Sequence, residues 1–390
     1  MNDRRRSPGS QASLREANRN RVVSAVKRLG GMTQVELAGA TGLSPATVSN
    51  IVKELVASGT LHSAPSTYSG RRALKVTLPH GLGMVVGVHV SPRHLRVAVS
   101  DLNMTVLAER HMPLARDHRA DSELDKIAVL ITDMLETVDS DLSEVMSIGF
   151  AIAAPMDATT GMTARAGIMR GWDGLRIGAS LQERVQRPVH VDNSANLSAV
   201  AELRSGAARG CRNAVILDIG DGIGAGLVLE GRLFRGSHGI AGEFGHAAVM
   251  QDGPRCRCGS RGCLEAVAGA PAVLARIRDE VGSMKLGDLI LRGMSGDNTC
   301  IRAIADAGHV IGTAAGGLCN VLDPDRVVVT GEFARAGELL LGPMRRAIEA
   351  GLIVDVAGEP DIVQGQLGQD AAVSGALALA IESVEIPATA

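Results

Sequence analysis

Three of the six cysteines in this 390-residue chain fall within eight positions, Cys256-Arg257-Cys258-Gly259-Ser260-Arg261-Gly262-Cys263, nine residues after Gly245-His246. His246, Cys256, Cys258 and Cys263 together supply the imidazole and three thiolates of a closed tetrahedral zinc site. The intervening glycines permit the tight bends that such a knuckle demands. Thiolate ligands favour zinc over calcium or magnesium, and four protein ligands leave no position for a catalytic water, so the expected role is structural. Cys211, Cys300 and Cys319 lie apart among small and apolar residues and read as core packing.

At this length two or three domains are expected, and 45% hydrophobic residues are enough to build their cores. Aromatic residues make up 2%, which leaves little for stacking single-stranded nucleic acid. The net charge of −2 conceals an asymmetry: residues 1–75 hold 12 Lys+Arg against 4 Asp+Glu, or +8, leaving −10 for the remainder. A basic first segment on an acidic body suits a chain in which only that segment meets a polyanion. Arg4–Arg6 lead into no apolar signal segment, and no run reaches membrane-spanning length, so a cytoplasmic location is expected.

Residues 1–13 read as a mobile polar arm, and residues 14–79 as a winged helix-turn-helix, mostly α. Leu14, Ala17, Val22, Val26 and Leu29 space an amphipathic helix that Gly30-Gly31 stops. Thr33-Gln34-Val35-Glu36 is a capping box for a short helix ending at Gly42. Ser44 and Pro45 then start a third helix with Val48, Ile51, Val52 and Leu55 as its buried stripe. Leu61–Ser63 and Leu74–Leu78 read as short wing strands around a Ser66–Arg72 loop. Thr47, Ser49, Asn50 and Lys53 lie off the stripe, on the half of the third helix that enters the major groove in this motif. Asn50 suits bidentate reading of adenine, Thr47 and Ser49 suit bases or phosphates, and Lys53 suits a phosphate. Arg71 and Arg72 at the wing tip suit the backbone or minor groove of double-stranded DNA.

From residue 80 to 390 short apolar strands, among them Val85–Val90, Leu95–Ser100, Ser147–Ala151, Val189–Val191 and Ala214–Ile219, alternate with helices in two similar halves. Ala241-Gly242-Glu243-Phe244-Gly245-His246, the cysteine cluster and Gly262-Cys263-Leu264-Glu265 resemble the ROK family (repressors, open reading frames and kinases) over about residues 80–385. The winged helix matches its repressor branch. The resemblance implies an α/β actin-like, sugar-kinase ATPase fold in two lobes. It also implies that Asn193, Glu243, His246 and Glu265 contact sugar hydroxyls, His246 using its second ring nitrogen for zinc.

Departures from the family's kinases fall on the catalytic apparatus. Asn193-Ser194-Ala195-Asn196 has Ser194 where those kinases carry the Asp general base, a loss that costs about 10²–10⁴-fold in rate. His89-Val90-Ser91-Pro92-Arg93 replaces the glycine-rich first phosphate loop, Asp221 stands where the second loop usually has Thr, and Gly331-Glu332-Phe333 replaces the adenosine turn. Ile168 takes the place of a hydrogen-bonding Asn on the sugar side, and Trp172 is expected to pack rather than stack. ATP is therefore not expected as a cofactor. The resulting expectation is a non-enzymatic, sugar-responsive DNA-binding regulator, a repressor and at least a homodimer. An ATP-dependent sugar kinase and a ligand-independent DNA-binding regulator are the alternatives.

Overall fold

In the computed structural model of the chain, residues 11–68, 71–115, 118–157, 160–164, 167–353 and 360–386 are described, those at 11, 12, 67, 68, 71 and 72 by backbone alone. The first ten residues of the expected arm thus lie outside the described residues. Helix α1 spans Gln11–Leu29 and begins three residues ahead of Leu14. Leu14 is 63% exposed and Ala17 is exposed as well, so the apolar stripe is buried only from Val22 onward. Spacing alone marks an apolar face but does not say how far along the helix a partner covers it.

Capping then divides the chain. Strand β1 (Met32–Thr33) leads into α2 (Gln34–Thr41), where Glu36 N donates to Thr33 Oγ1 at 3.3 Å and Thr33 N donates to Glu36 Oε2 at 2.8 Å. Gly42 closes α2 in the left-handed region, at φ 68°. Helix α3 (Pro45–Ala57) starts on Ser44, whose Oγ accepts from Thr47 N at 3.2 Å, and it buries Val48, Ile51, Val52 and Leu55. Strands β2 (His62–Tyr68) and β3 (Arg71–Thr77) pair antiparallel from His62↔Thr77 to Tyr68↔Arg71, with β1 on the far edge of β3. The wing is therefore longer than expected: in the Ser66–Arg72 loop, Ser66–Tyr68 and Arg71–Arg72 are paired strand. Ser66, Thr67, Arg71 and Arg72 are all polar, so this part of the ribbon carries no alternating apolar signal to read.

The remainder is two sheets of one design. Strands β4 (Met84–Val90), β5 (His94–Asp101) and β6 (Val106–Pro113) form an antiparallel meander. After α4 (Ala120–Glu136), β7 (Val145–Ile152) joins β4 in parallel, and after α5 (Ile177–Val185), β8 (Val189–Asn193) joins β7. Helix α6 (Ser194–Ser205) crosses to the second lobe, where β9 (Ala214–Ile219), β10 (Ile223–Leu229) and β11 (Arg232–Phe234) repeat the meander. Helices α7 (Leu264–Ala268), α8 (Ala270–Val281), α9 (Leu286–Met294) and α10 (Asn298–Leu322) precede β12 (Arg326–Thr330), which lies parallel to β9. Helix α11 (Glu338–Gly351), β13 (Asp361–Gln364) and α12 (Ala371–Ser383) complete the chain. The orders β6-β5-β4-β7-β8 and β11-β10-β9-β12-β13 are the same pattern twice. Trp172 is fully buried against Phe150 and donates from Nε1 to His118 Nδ1 at 3.2 Å, so it packs, as its sequence context suggested. Cys300 and Cys319 are buried on α10, and Cys211 is half-buried.

Helices α6 and α12 lie against each other between the lobes, α6 on β9 and β10 and α12 on β4 and β7. A Cβ on Gly375 of α12 would stand 1.8 Å from Leu197 O of α6, and one on Gly149 of β7 would stand 1.9 Å from Ala376 O. No side chain separates these backbones. Gly375→Ala is therefore expected to destabilise the protein by about 3 kcal/mol or more, since the clash is with backbone rather than a flexible tip. Urea unfolding of the variant checks this, and a midpoint equal to that of the unaltered protein would show that the helices are free to separate.

The reader is not a bead on a linker. Val22, Val26, Leu37 and Leu55 share one buried cluster with Val85, Ala98 and Leu102 of the first lobe and Val373, Leu377 and Ile381 of α12.

Candidate ligand cleft, metal centre and DNA-reading face

The knuckle is built by short-range geometry. Phe244–His246 forms a single 3₁₀ turn, and the bridges Ala248↔Cys263 and Arg255↔Arg261 fold the following loop back on itself. Gly262 sits at φ 67°, with a Cβ there only 1.7 Å from Met250 O, so the bend accepts no side chain. The ligand atoms of His246, Cys256, Cys258 and Cys263 all lie within 4.8 Å of one another. Cys256 Sγ is 3.5 Å from His246 Nδ1, and Cys258 Sγ is 3.7 Å from Cys263 Sγ. Zn–S bonds of about 2.3 Å in a tetrahedron imply sulfur–sulfur edges of about 3.8 Å, so the donor set fits a zinc ion in both chemistry and size. Burial first, then the neighbouring Cys258 and Cys256 thiols, push the Cys263 thiol up to about 12.

A cleft between the lobes brings Asn193, Glu243, His246 and Glu265 together, with Ile168 and Ser194 on its wall. His246 turns Nδ1 to Cys256, and its Nε2 is 3.9 Å from Glu243 Oε2. The imidazole thus stands between the cysteine cluster and the cleft. Burial first, then the Glu265 charge, raise Glu243 to about 7 against the opposing pull of Arg257. Asn193 caps α6, its Oδ1 accepting from Ala195 N at 2.8 Å while Nδ2 donates to Ala154 O at 3.0 Å and Glu243 Oε1 at 3.3 Å.

One residue of the cleft went unread in the sequence. Arg257, between two of the metal thiols, donates from Nε to Glu265 Oε1 and from Nη2 to Glu265 Oε2, both at 2.7 Å. Its Nη1 reaches Ile168 O at 3.3 Å, and Ile223 N adds a third donor on Glu265 at 3.2 Å. A carboxylate has about four lone-pair sites, so Glu265 has room for roughly one hydroxyl more. The arginine's place between two cysteine ligands was the available signal, because the knuckle fixes its direction. Arg257→Met should cost about 2–4 kcal/mol by leaving a nearly buried carboxylate without its cation, and Glu265→Gln in that background should recover part of the loss. Denaturant unfolding of the three variants measures both steps.

An ion pair spans the opposite side of the cleft. Arg93, in the turn after β4, pairs with Asp221, in the turn after β9, joining the two lobes. Arg96 holds Gln369 Oε1 at 2.7 Å and pairs with Asp370 at the start of α12. His89 is kept neutral, at about 3, by burial and by the Arg96 charge. Asp221 is thus one half of an inter-lobe ion pair and not merely an added negative charge.

On the reader, Asn50 and Lys53 are exposed and Thr47 and Ser49 are half-buried along one side of α3. Thr47 Oγ1 lies 2.8 Å from Ser44 Oγ, which orders the first turn. The side chains of Arg71 and Arg72 lie outside the described residues.

A winged helix-turn-helix joined to a two-lobed, sugar-kinase-like α/β domain with a Cys₃His knuckle is the class these features define. Residues 85–383 match the ROK family and residues 15–61 match a winged helix-turn-helix DNA-binding family. The chain belongs to the ROK family. It is 24% identical to the xylose repressor of Bacillus subtilis over 377 residues, covering 95% of this chain and 97% of that one. It is 30% identical to a glucokinase of Halalkalibacterium halodurans over 271 residues, 64% of this chain and 82% of the kinase. Its fold superposes on a ROK family transcriptional regulator, a homologue of the Escherichia coli MLC protein, with a TM-score of 0.73 at 24% identity over 95% of this chain and 96% of that one.

Proposed function

We propose that this protein is a cytoplasmic, sugar-responsive repressor that binds double-stranded DNA as a homodimer, with residues 14–79 as reader and 80–390 as sensor. The observation that carries the reading is the cleft itself. Asn193, Glu243, His246 and Glu265 meet in it, while Asp221, paired with Arg93, sets a carboxylate on the side where a kinase would hold phosphate. The full-length relative just described, a xylose repressor, combines the same two parts. Thr47, Ser49, Asn50, Lys53, Arg71 and Arg72 form the DNA-reading set; base contacts from α3 specify, and the cations position.

His246, Cys256, Cys258 and Cys263 hold a structural zinc ion, which fixes the orientation of the His246 ring. The hydroxyls of a sugar donate to Glu243 and to the remaining site on Glu265, and accept from His246 Nε2 or the free N–H groups of Arg257. Ile168 beside Arg257 gives the ligand an apolar neighbour. Ser194 cannot take a proton from a sugar hydroxyl, a loss worth about 10²–10⁴-fold in rate, which favours a cleft that binds sugar without ATP over one that turns it over. Lobe closure on the sugar changes the operator affinity of the paired readers.

Thermal unfolding with a panel of pentoses, hexoses and amino sugars, run beside an ATP-consumption assay, tests the sensor. At least one sugar should raise the melting temperature in proportion to the logarithm of its concentration, with no sugar-dependent ATP loss. ATP turnover abolished by Glu265→Ala would favour the kinase reading. A melting temperature unmoved by every sugar would favour a ligand-independent regulator.

A further inference from the structure

The reader straddles both lobes, and it does so by two different kinds of contact. Helix α1 packs on α12 and also on α6. Against α12 and the first sheet the contact is mainly apolar, through Val22, Val26, Leu102, Leu377 and Ile381, with one polar addition, Lys27 Nζ donating to Glu382 O at 3.4 Å and to Val384 O at the end of α12. Against α6, which lies on the second sheet, it is polar. Arg204, in the last turn of α6 and 5% exposed, donates from Nη1 to Lys27 O at the C-terminal end of α1. A Cβ on Gly30, just beyond α1, would lie 3.5 Å from Arg204 Nε. A guanidinium against the final carbonyls of a helix is placed where the helix dipole attracts it.

Five residues after Arg204, Arg209 Nη2 donates to Glu36 Oε1 at 3.0 Å, on the carboxylate whose other oxygen closes the Thr33 capping box of α2. The same end of α6 is braced by Glu202. That carboxylate is fully buried and accepts from Ala207 N, Leu367 N and Gln366 N at 2.7, 3.0 and 3.3 Å. The other end of α6 is Asn193, its N-cap, in the wall of the ligand cleft. One rigid helix of about 18 Å therefore runs from the cleft to the DNA reader.

We propose that Arg204, seconded by Arg209, is the positioning residue through which the second lobe sets the place of the reader. The apolar contacts make the reader ride with α12 and the first lobe. Any slide of α6 along α12 then changes what Arg204 and Arg209 can reach on α1 and α2. Directional hydrogen bonds between a guanidinium and a carbonyl or carboxylate are lost over a shift of about 1 Å, whereas apolar packing tolerates it. Arg204 thus converts the relative position of the lobes into order at the junction of α1 and α2. This rests on the reading that the cleft opens and closes. The test uses neither ligand nor DNA, so its failure is separable from a failure of the sugar assay.

Asp221→Arg sets a second cation opposite Arg93 and spreads the lobes at the cleft. Hydrogen exchange is then followed in the full-length protein, in Asp221→Arg, in Arg204→Met with Arg209→Gln, and in all three changes combined. Amides of residues 27–38 should exchange about tenfold faster in Asp221→Arg, although the change lies in another lobe, while β4 and β9 stay protected. In the Arg204→Met, Arg209→Gln background those amides should already be fast, and Asp221→Arg should add less than about twofold. Arg204→Lys, which keeps a cation and a donor, should restore the response and so distinguishes positioning from a general folding defect. Unchanged exchange at 27–38 in Asp221→Arg would overturn the proposal. So would additive effects in the combined variant, or no rescue by lysine.

Discussion

Asn50→Ala in α3 is expected to weaken specific DNA binding by about 5- to 150-fold and to relax discrimination at one base-pair position, the loss of one bidentate base contact. The reason is positional. Ser44 and Pro45 start α3, Val48, Ile51, Val52 and Leu55 turn its buried face inward, and Asn50 is left exposed on the opposite side. Lys53→Ala should behave differently, weakening all sequences alike and lowering the slope of log affinity against log salt by about 1. Titrations of the two variants at several salt concentrations separate these outcomes. An Asn50→Ala protein that loses affinity equally for all DNA would assign that residue to the phosphates instead.

The second large effect belongs to the knuckle. Cys258→Ser should release the metal, cost on the order of 3 kcal/mol or more, and lower the thermal midpoint by roughly 5 °C or more. Because the same loop carries Arg257 and leads to Glu265, the sugar response should vanish with the metal rather than merely weaken. Cys211→Ser, at a half-buried thiol outside the cluster, should change stability by less than about 1 kcal/mol. Metal content per chain, measured beside melting curves, checks both. A metal-free Cys258→Ser protein as stable and as sugar-responsive as the unaltered chain would remove the structural role.

Local chemistry is what a sequence displays most openly, and the local features here were legible. The Thr33–Glu36 capping box, the Ser44-Pro45 helix start and the Ala214–Ile219 strand stand as the side-chain chemistry implied. The cysteine spacing likewise brought the four candidate ligand atoms within 4.8 Å of one another. The two similar halves became two sheets of identical order.

What escaped depends on partners distant in the chain. Nothing near Arg93 announces Asp221, 128 positions away, and nothing near Arg204 announces Lys27, 177 positions away. Nothing around residue 80 announces that Val22 and Ile381, on either side of it, share one buried cluster. The wing strands ran longer than their apolar residues suggested, because the polar run at Ser66–Tyr68 and Arg71–Arg72 has no apolar alternation to show. In the cleft, the residue types of Asn193 and Glu265 were legible but not their occupancy. One serves as a helix cap and the other is held by Arg257 and Ile223 N.

These occupied groups bear on the central claim, that the kinase-like cleft controls a DNA reader and does no chemistry. Equilibrium binding to the DNA upstream of the protein's own gene, at fixed salt and across the sugar panel, tests it most directly. The account predicts that the sugar that raises the melting temperature also weakens operator binding by about tenfold or more, with non-specific DNA unaffected. Operator affinity unchanged at saturating concentrations of that same sugar would contradict it.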